Sequence, residues 1–186
     1  MTQVKPFTPA KLICGMISSR EDAFRTGEER LVERFGPIDL RSSVFPFAGT
    51  DYYEKEMGPA LKRAFLSFER LVPPDDLSTI KLQTNALERE IGAAAATDAR
   101  VVNLDPGILT SSALIMATTK NFAHRVPLSG GIYAHLELLF TKTGVKTLDW
   151  TYPDFRGEGY QNFFLGVRKI FMKQVRGLAS KNGSRS

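Results

Sequence analysis

The stretch between Asn103 and Glu137 is the most polar part of the chain and carries both of its histidines. His135 and Glu137 lie two residues apart in a predicted strand, so their side chains leave the same face. If His124 folds nearby, two imidazoles and one carboxylate would suit a divalent metal or acid–base chemistry. The alternative is a half-solvated strand whose polar face meets water. We predict Asp105, His124 and Glu137 as catalytic groups. His135 and Glu137 are the candidate metal ligands, and the cofactor is otherwise open.

A second set of side chains suits an anion. Arginine offers a planar fork of donors to phosphate or carboxylate, and threonine hydroxyls add further donors. The predicted anion-binding residues are Thr119, Lys120, Arg125 and Arg156. The predicted supporting residues are Asn103, Tyr133, Trp150 and Asp154. The alternative is a surface loop with ordinary charges.

Several classes of protein are excluded or disfavoured by what the sequence lacks. It contains neither G-x-x-x-x-G-K-[ST] nor G-x-G-x-x-G, the phosphate-binding glycine motifs, and no G-x-S-x-G. The single cysteine, Cys14, rules out an intrachain disulfide and a cysteine-based zinc site. Residues 1–9 lack the apolar core of a secretory signal. No apolar run approaches the roughly 20 residues of a membrane span. We therefore expect a cytoplasmic protein without a membrane partner.

The net charge of +5 is concentrated at one end of the chain. Six basic residues and no acidic residue follow Glu158, which leaves 19 basic and 20 acidic residues in positions 1–158. Apolar residues from Tyr160 to Leu178 recur at spacings of three and four, which predicts an amphipathic helix. Its basic face would bind nucleic acid or simply meet water. Residues 179–186 are predicted to form a disordered basic tail after a single domain over residues 1–178.

The remaining patterns predict the elements that position these residues. Strands are expected at Lys11–Ile17, Ile38–Phe47, Leu61–Val72, Arg100–Leu104, Ile132–Phe140 and Val145–Tyr152, with an apolar segment at Ala113–Ala117. Helices are expected from Ser18-Ser19 to Phe35 and after Asp75-Asp76. The second helix would bury a stripe of Leu77, Ile80, Thr84, Leu87 and Ile91. The run over residues 61–72 also fits a helix, but its short apolar pattern favours a strand. Asp105-Pro106-Gly107 reads as a turn, which leaves Asp105 either at a strand end facing a cleft or as a turn former.

This order predicts an α+β fold. Its core would be the βαββαβ pattern of split βαβ, ferredoxin-like domains. A β-hairpin would extend this core, and the C-terminal amphipathic helix would close the chain.

The order of several short motifs resembles a known family, an uncharacterised bacterial domain of unknown function numbered 4416. The resemblance covers about Lys11 to Phe171 and implies a bacterial, single-domain, cytoplasmic protein, but no activity. The motifs are Phe47-x-x-Thr50-Asp51-Tyr52-Tyr53, Glu56-Met57-Gly58, Ser67-Phe68-Glu69, Lys81, Thr84-Asn85, Glu88, Asn103-Leu104-Asp105-Pro106-Gly107, Thr118-Thr119-Lys120, His124-Arg125, Gly131-Ile132-Tyr133 and Trp150-Thr151-Tyr152-Pro153-Asp154.

Three functions compete on these observations. The first is a domain that binds or acts on a small anionic ligand, with phosphoester or nucleotide chemistry as the first guess. The second is an RNA-binding module, because Arg63–Phe68 lies on the third predicted strand, where RNA-recognition domains carry their aromatic motif. The third is a non-enzymatic interaction domain that uses the basic C-terminal helix. The protein partner would then be unknown.

Overall fold

A computed structural model describes residues 3–47, 56–95 and 100–183 of the chain. These residues form three helices and nine strands. The helices are α1 (Glu21–Phe35), α2 (Leu77–Ala94) and α3 (Glu158–Gly183). The strands are β1 (Ala10–Ser18), β2 (Ile38–Arg41), β3 (Phe45–Pro46), β4 (Lys62–Val72), β5 (Asn103–Leu109), β6 (Ala113–Thr118), β7 (Val126–Pro127), β8 (Tyr133–Phe140) and β9 (Val145–Thr147). Single 3-10 turns at Pro74–Asp76 and Pro153–Arg156 precede α2 and α3.

The strands form one sheet in which every recorded pairing is antiparallel. The strand order is β2-β4-β1-β5-β6-β8-β7, with β3 beside β4 and β9 beside β8. Helices α1 and α2 pack on one face through a cluster that includes Leu31, Leu87 and Leu104. Helix α3 packs on the other face through a cluster that includes Phe65 and Phe164. The predicted α+β class is confirmed.

Strand β1 lies at the centre of this arrangement, and all nine of its residues are buried. A strand covered by helices on both faces favours apolar residues on both faces, which explains the run Leu12–Ile17, while the buried Lys11 is paired with Asp39 and Gln174. Gly15 is required there because a β-carbon at this position would lie 2.8 Å from the Phe65 ring. The aromatic core on the α3 face therefore comes directly against the backbone of β1.

Both predicted early helices form, and their apolar stripes face the sheet. In α2 the predicted stripe of Leu77, Ile80, Thr84, Leu87 and Ile91 is buried throughout. Helix α1 ends at Phe35, where Gly36 adopts a positive φ that favours glycine. The strand prediction for residues 61–72 is confirmed by β4.

Several predicted strand boundaries are wrong, and the single strand predicted at Ile38–Phe47 is divided into β2 and β3. Asp105-Pro106-Gly107 is not a turn, because β5 continues through it to Leu109 and pairs with β1 along its whole length. Tertiary pairing overrides the local turn preference, and Asp105 lies inside a strand. The last predicted strand is shorter than expected, since β9 ends at Thr147 and residues 148–152 form a loop before the 3-10 turn.

A β-bulge in β8 changes which residues face the core. The register with β6 shifts so that Leu136 pairs with Ile115 but Leu138 pairs with Leu114, which leaves Glu137 without an opposite residue. The extra residue reverses the alternation of side chains. Leu138 and Phe140 consequently join the α3-side cluster with Met116, the residue that pairs with His135. They therefore lie on the same face as His135, whereas strict alternation along the strand would place them on the opposite face.

Helix α3 follows the predicted pattern, with Phe163, Phe164, Val167 and Phe171 buried against the sheet. The helix extends to Gly183. The predicted boundary between a domain at 1–178 and a disordered tail at 179–186 stays a prediction. The aromatic and acidic motif Thr50–Glu54 lies outside the described residues.

Candidate functional site

A cleft opens where β5 and β6 separate. Their ladder pairs Gly107–Leu109 with Leu114–Met116 only, although both strands continue beyond Gly107 and Met116. The cleft beyond the last pair has a volume of about 250 Å³. The residues that line it are Lys81, Asn85, Glu88, Arg89, Arg100, Asn103, Asp105, Thr118, Thr119 and Lys120. Four of them are basic and two acidic, so the lining carries a net formal charge of +2.

Two side chains of α2 occupy the position that a neighbouring strand would take. A Glu88 Oε1 atom accepts the Leu104 N–H at 2.6 Å, and Lys81 Nζ donates to the Leu104 carbonyl at 2.8 Å. Buried backbone groups need such partners because an unpaired one costs free energy. The substitution of helix side chains for strand β6 is what keeps the cleft open.

Asp105 is the central carboxylate of the cleft. Its oxygens contact Lys81 Nζ at 3.2 Å and accept the Asn103 amide at 2.7 Å. The Arg63 guanidinium lies 3.8 Å from Asp105 Oδ2. Burial alone would raise the pKa of Asp105, but the charges of Lys81 and Arg63 lower it below its usual value. Asp105 is therefore ionised at neutral pH and acts as an electrostatic anchor rather than as a strong base.

Arg63 links this cleft to the layer formed by α3. Its side chain is buried, and the guanidinium carbon lies 4.9 Å from the centre of the Phe65 ring and 4.8 Å from that of Phe155. Its Nη1 donates to Asp154 at 2.6 Å. Burial disfavours the charge, but Asp154 and Asp105 together raise the pKa of Arg63. A fully buried arginine of this kind fixes the two carboxylates relative to each other.

Glu88 pairs with a second cation on the other side of the cleft. Its Oε2 atom lies 2.5 Å from Arg100 Nη2. Burial raises the pKa of Glu88, although the charges of Lys81 and Arg100 oppose the increase. Each carboxylate of the cleft thus lies beside a basic group, and the lining contains more basic than acidic residues.

The predicted pair His135 and Glu137 is in contact and is buried. The alternative expectation, that this polar face of the strand meets water, is therefore wrong. His135 Nδ1 lies 2.7 Å from Glu137 Oε1, and both side chains are almost fully buried. The other oxygen, Glu137 Oε2, accepts the Tyr152 N–H at 2.9 Å. The carboxylate in the bulge therefore contacts the histidine and holds the loop that follows β9 through a hydrogen bond.

His124 belongs to an aromatic group above this pair. Its ring stacks on Trp150 with centres 5.2 Å apart and planes at 9°, and it meets Phe122 at 5.3 Å. The His135 ring is 6.0 Å away. Burial, followed by the charge of Arg125, lowers the pKa of His124 below its usual range. His124 is accordingly neutral at pH 7.

The predicted site residues divide into two neighbouring groups. Asn103, Asp105, Thr119 and Lys120 line the cleft, and Asp154 reaches it through Arg63. His124, Trp150, His135 and Glu137 form the aromatic group. Tyr133 pairs with Thr118 across β6 and β8.

The two predicted arginines outside these groups hold loops together. Arg125 joins the groups, because its guanidinium donates to the Lys120 carbonyl at 2.8 Å and to the Tyr152 hydroxyl at 3.3 Å. Arg156 instead donates to the carbonyls of Leu148, Asp149 and Thr151. It therefore braces the loop after β9 rather than lining the cleft.

A metal does not fit the described residues well. Among them no group of three or more His, Cys, Asp or Glu side chains could hold a metal ion. His135 Nδ1 and Glu137 Oε1 lie 2.7 Å apart, but their geometry does not meet hydrogen-bond criteria and both atoms are buried without another hydrogen-bond partner. His135 and Glu137 therefore remain predicted metal ligands, and the described residues supply no third ligand beside them.

Sequence reasoning missed three charged residues that shape the site, the buried Arg63 and Lys81 and the largely buried Glu88. Two of them, Arg63 and Lys81, had a signal. Arg63 stands within the apolar strand run of β4, and Lys81 directly follows Ile80 of the buried α2 stripe. A charge at a position expected to be buried indicates a partner brought by the fold.

Comparison with known proteins gives a family but no function. Among the described residues no helix is long and apolar enough to cross a membrane. No match was found among curated proteins or among solved structures. The sequence profile of one family matches residues 8–171, which is most of the chain. The protein therefore belongs to the family defined by the domain of unknown function DUF4416.

Proposed function

We propose that the protein binds a small anionic ligand, bearing phosphate or carboxylate, in the cleft between β5 and β6. The observation that carries the proposal is the excess of basic residues around a cleft lined by Lys81, Arg89, Arg100 and Lys120. Small-ligand sites are concave and use a few well-placed polar groups. The Thr118 and Thr119 side chains add hydroxyls at the same edge.

Fixed carboxylates make the binding selective. Asp105 and Glu88 are each held by cations, so the basic groups near them are oriented before a ligand arrives. Preorganised groups lose little conformational entropy on binding. Catalysis by Asp105, His124 or Glu137 remains a prediction, and the ionised Asp105 favours a binding role for that residue.

Thermal unfolding with inorganic phosphate tests the proposal, with sodium chloride added to hold ionic strength constant. At about ten times its Kd, phosphate should raise the Tm by roughly 3–6 °C. Lys120→Gln should remove at least half of that shift. The matched control, Lys146→Gln in β9, changes an exposed lysine away from the cleft and should retain it. If phosphate, pyrophosphate and citrate all leave the Tm unchanged, the proposal fails.

The basic face of α3 favours a second candidate, an interaction with an anionic macromolecule. Lys169, Lys173 and Arg176 are exposed on the side opposite the buried stripe. The aromatic RNA-binding motif receives no such support, because Phe65 and Phe68 are fully buried and offer no face to a base. Gel shifts at low and physiological salt test this candidate, since phosphate contacts weaken steeply with salt. Unchanged mobility at both salt concentrations would reject it.

We also infer a ferredoxin-like arrangement for residues 10–109 and a cytoplasmic, bacterial setting. The order β2-β4-β1-β5 supports the first inference, because it places β4 between β2 and β1, and β1 between β4 and β5. The single buried cysteine supports the cytoplasmic setting, since it leaves no intrachain disulfide to require an oxidising compartment, and the bacterial setting follows from the family resemblance alone.

A further inference from the structure

An exposed aromatic surface lies beside the cleft, and the binding of a simple anion does not use it. We call it the aromatic ledge and define it as Phe122, His124 and Trp150. Phe122 is 64% exposed and Trp150 40% exposed. Large aromatic side chains left in water at neighbouring positions indicate a binding surface more often than chance exposure.

The ledge is held in place. The Trp150 indole N–H donates to the Leu136 carbonyl at 2.7 Å, which fixes the ring against β8. The Thr151 hydroxyl donates to the Glu137 carbonyl at 2.5 Å and anchors the same loop. His124 lies parallel to the indole. Trp150 and His124 therefore stay in place without a ligand, and stacking on them would cost little ordering entropy.

The ledge is coupled to the cleft through one short segment. Lys120 lines the cleft, and Phe122 and His124 follow it within four residues. Arg125, at the end of this segment, donates a hydrogen bond back to the Lys120 carbonyl at its start. It also donates to the hydroxyl of Tyr152, two residues after Trp150. A ligand with its anionic group near Lys120 would thus have aromatic rings within reach of its other end.

We propose that the ligand of the cleft is an anion that carries a flat aromatic ring, and that this ring stacks on the aromatic ledge. The inference rests on the proposed function, since the anionic group occupies the cleft. Aromatic stacking accepts any planar ring, so the ledge sets the shape of the ligand and the cleft sets its charge.

Trp150 is the only tryptophan in the chain, so its fluorescence reports on the ledge alone. The experiment titrates the full chain with phenyl phosphate, methyl phosphate and cyclohexyl phosphate, which share the anionic group. Calorimetry gives the Kd, and fluorescence gives the environment of Trp150. Phenyl phosphate should bind roughly tenfold more tightly than methyl phosphate. It alone should change the emission of Trp150.

Variants separate the ledge from general apolar contact. Phe122→Ala should cut the advantage of phenyl over methyl phosphate by half or more. Phe7→Ala removes a phenylalanine that is 68% exposed elsewhere and should preserve the advantage. Equal affinities for phenyl and methyl phosphate would overturn the inference while leaving anion binding intact. Equal affinities for phenyl and cyclohexyl phosphate would overturn the flat-ring specificity. Binding of none of the three would overturn the proposed function as well.

Discussion

Buried charge is the main theme at the scale of single residues. Arg63 is enclosed by aromatic rings and shared between Asp154 and Asp105. Removing one partner of a buried pair leaves an uncompensated charge, so such residues tolerate little change. The sequence revealed the charges themselves but not their partners, because Arg63 and Asp154 lie 91 residues apart and meet only through the fold.

The protonation of His124 provides a prediction at this scale. Its pKa lies below the usual value of 6.5 because the ring is desolvated and Arg125 is near. Trp150→Ala removes the stacked indole and admits water, so the pKa of His124 should move up toward 6.5. Proton NMR titration measures this directly, since the chain has two histidines and His124→Gln assigns the signals. Phe7→Ala should leave the His124 midpoint unchanged. A wild-type midpoint at or above 6.5 would contradict the prediction.

At the scale of elements, the cleft exists because side chains of α2, and not strand β6, form hydrogen bonds with the backbone of β5 at Leu104. The amphipathic pattern predicted α2 and its buried stripe well, since helical periodicity is a local property. The same pattern could not show that Lys81 and Glu88 insert beside Leu104. The alternation of apolar and polar residues along β8 could not predict the bulge at Glu137 either, because a register shift depends on the partner strand.

Glu88→Ala tests the replacement of a strand by α2. The variant leaves the Leu104 N–H and Arg100 without this carboxylate, so the free energy of unfolding should fall by about 1–3 kcal/mol. Hydrogen exchange at the Leu104 amide should accelerate. Glu90→Ala changes an exposed glutamate of the same helix and serves as the control. Similar losses in both variants, measured by urea denaturation, would show that the contact is unimportant.

At the scale of the whole molecule, α3 completes the core. Its pattern predicted an amphipathic helix, but periodicity alone fits both a core helix and one that docks a partner. The structure decides for the core, because Phe164 is fully buried against Phe65 and Phe155 with ring centres 5.1 and 5.3 Å away. The protein itself covers the apolar face as far as Phe171, whereas Leu178 near the end of the pattern is exposed beside the basic face.

Phe164→Ala should therefore destabilise the whole protein by about 3–5 kcal/mol, the range for deleting a buried aromatic ring. Lys169→Ala, on the exposed face of α3, should change the stability by less than about 0.5 kcal/mol. Urea denaturation followed by circular dichroism compares the two. A Phe164→Ala midpoint equal to that of wild type would mean that α3 is dispensable for folding.

The short ladder between β5 and β6 has a mechanical consequence. Three residue pairs join one half of the sheet, β1 to β5, to the other, β6 to β9. Such a join resists opening less than the longer ladders on either side. The aromatic core under α3 spans it, because Leu109 and Leu114 belong to the same cluster. The packing of the helices therefore holds the two halves of the sheet together. We expect this packing, more than the backbone hydrogen bonds, to determine the width of the cleft between β5 and β6.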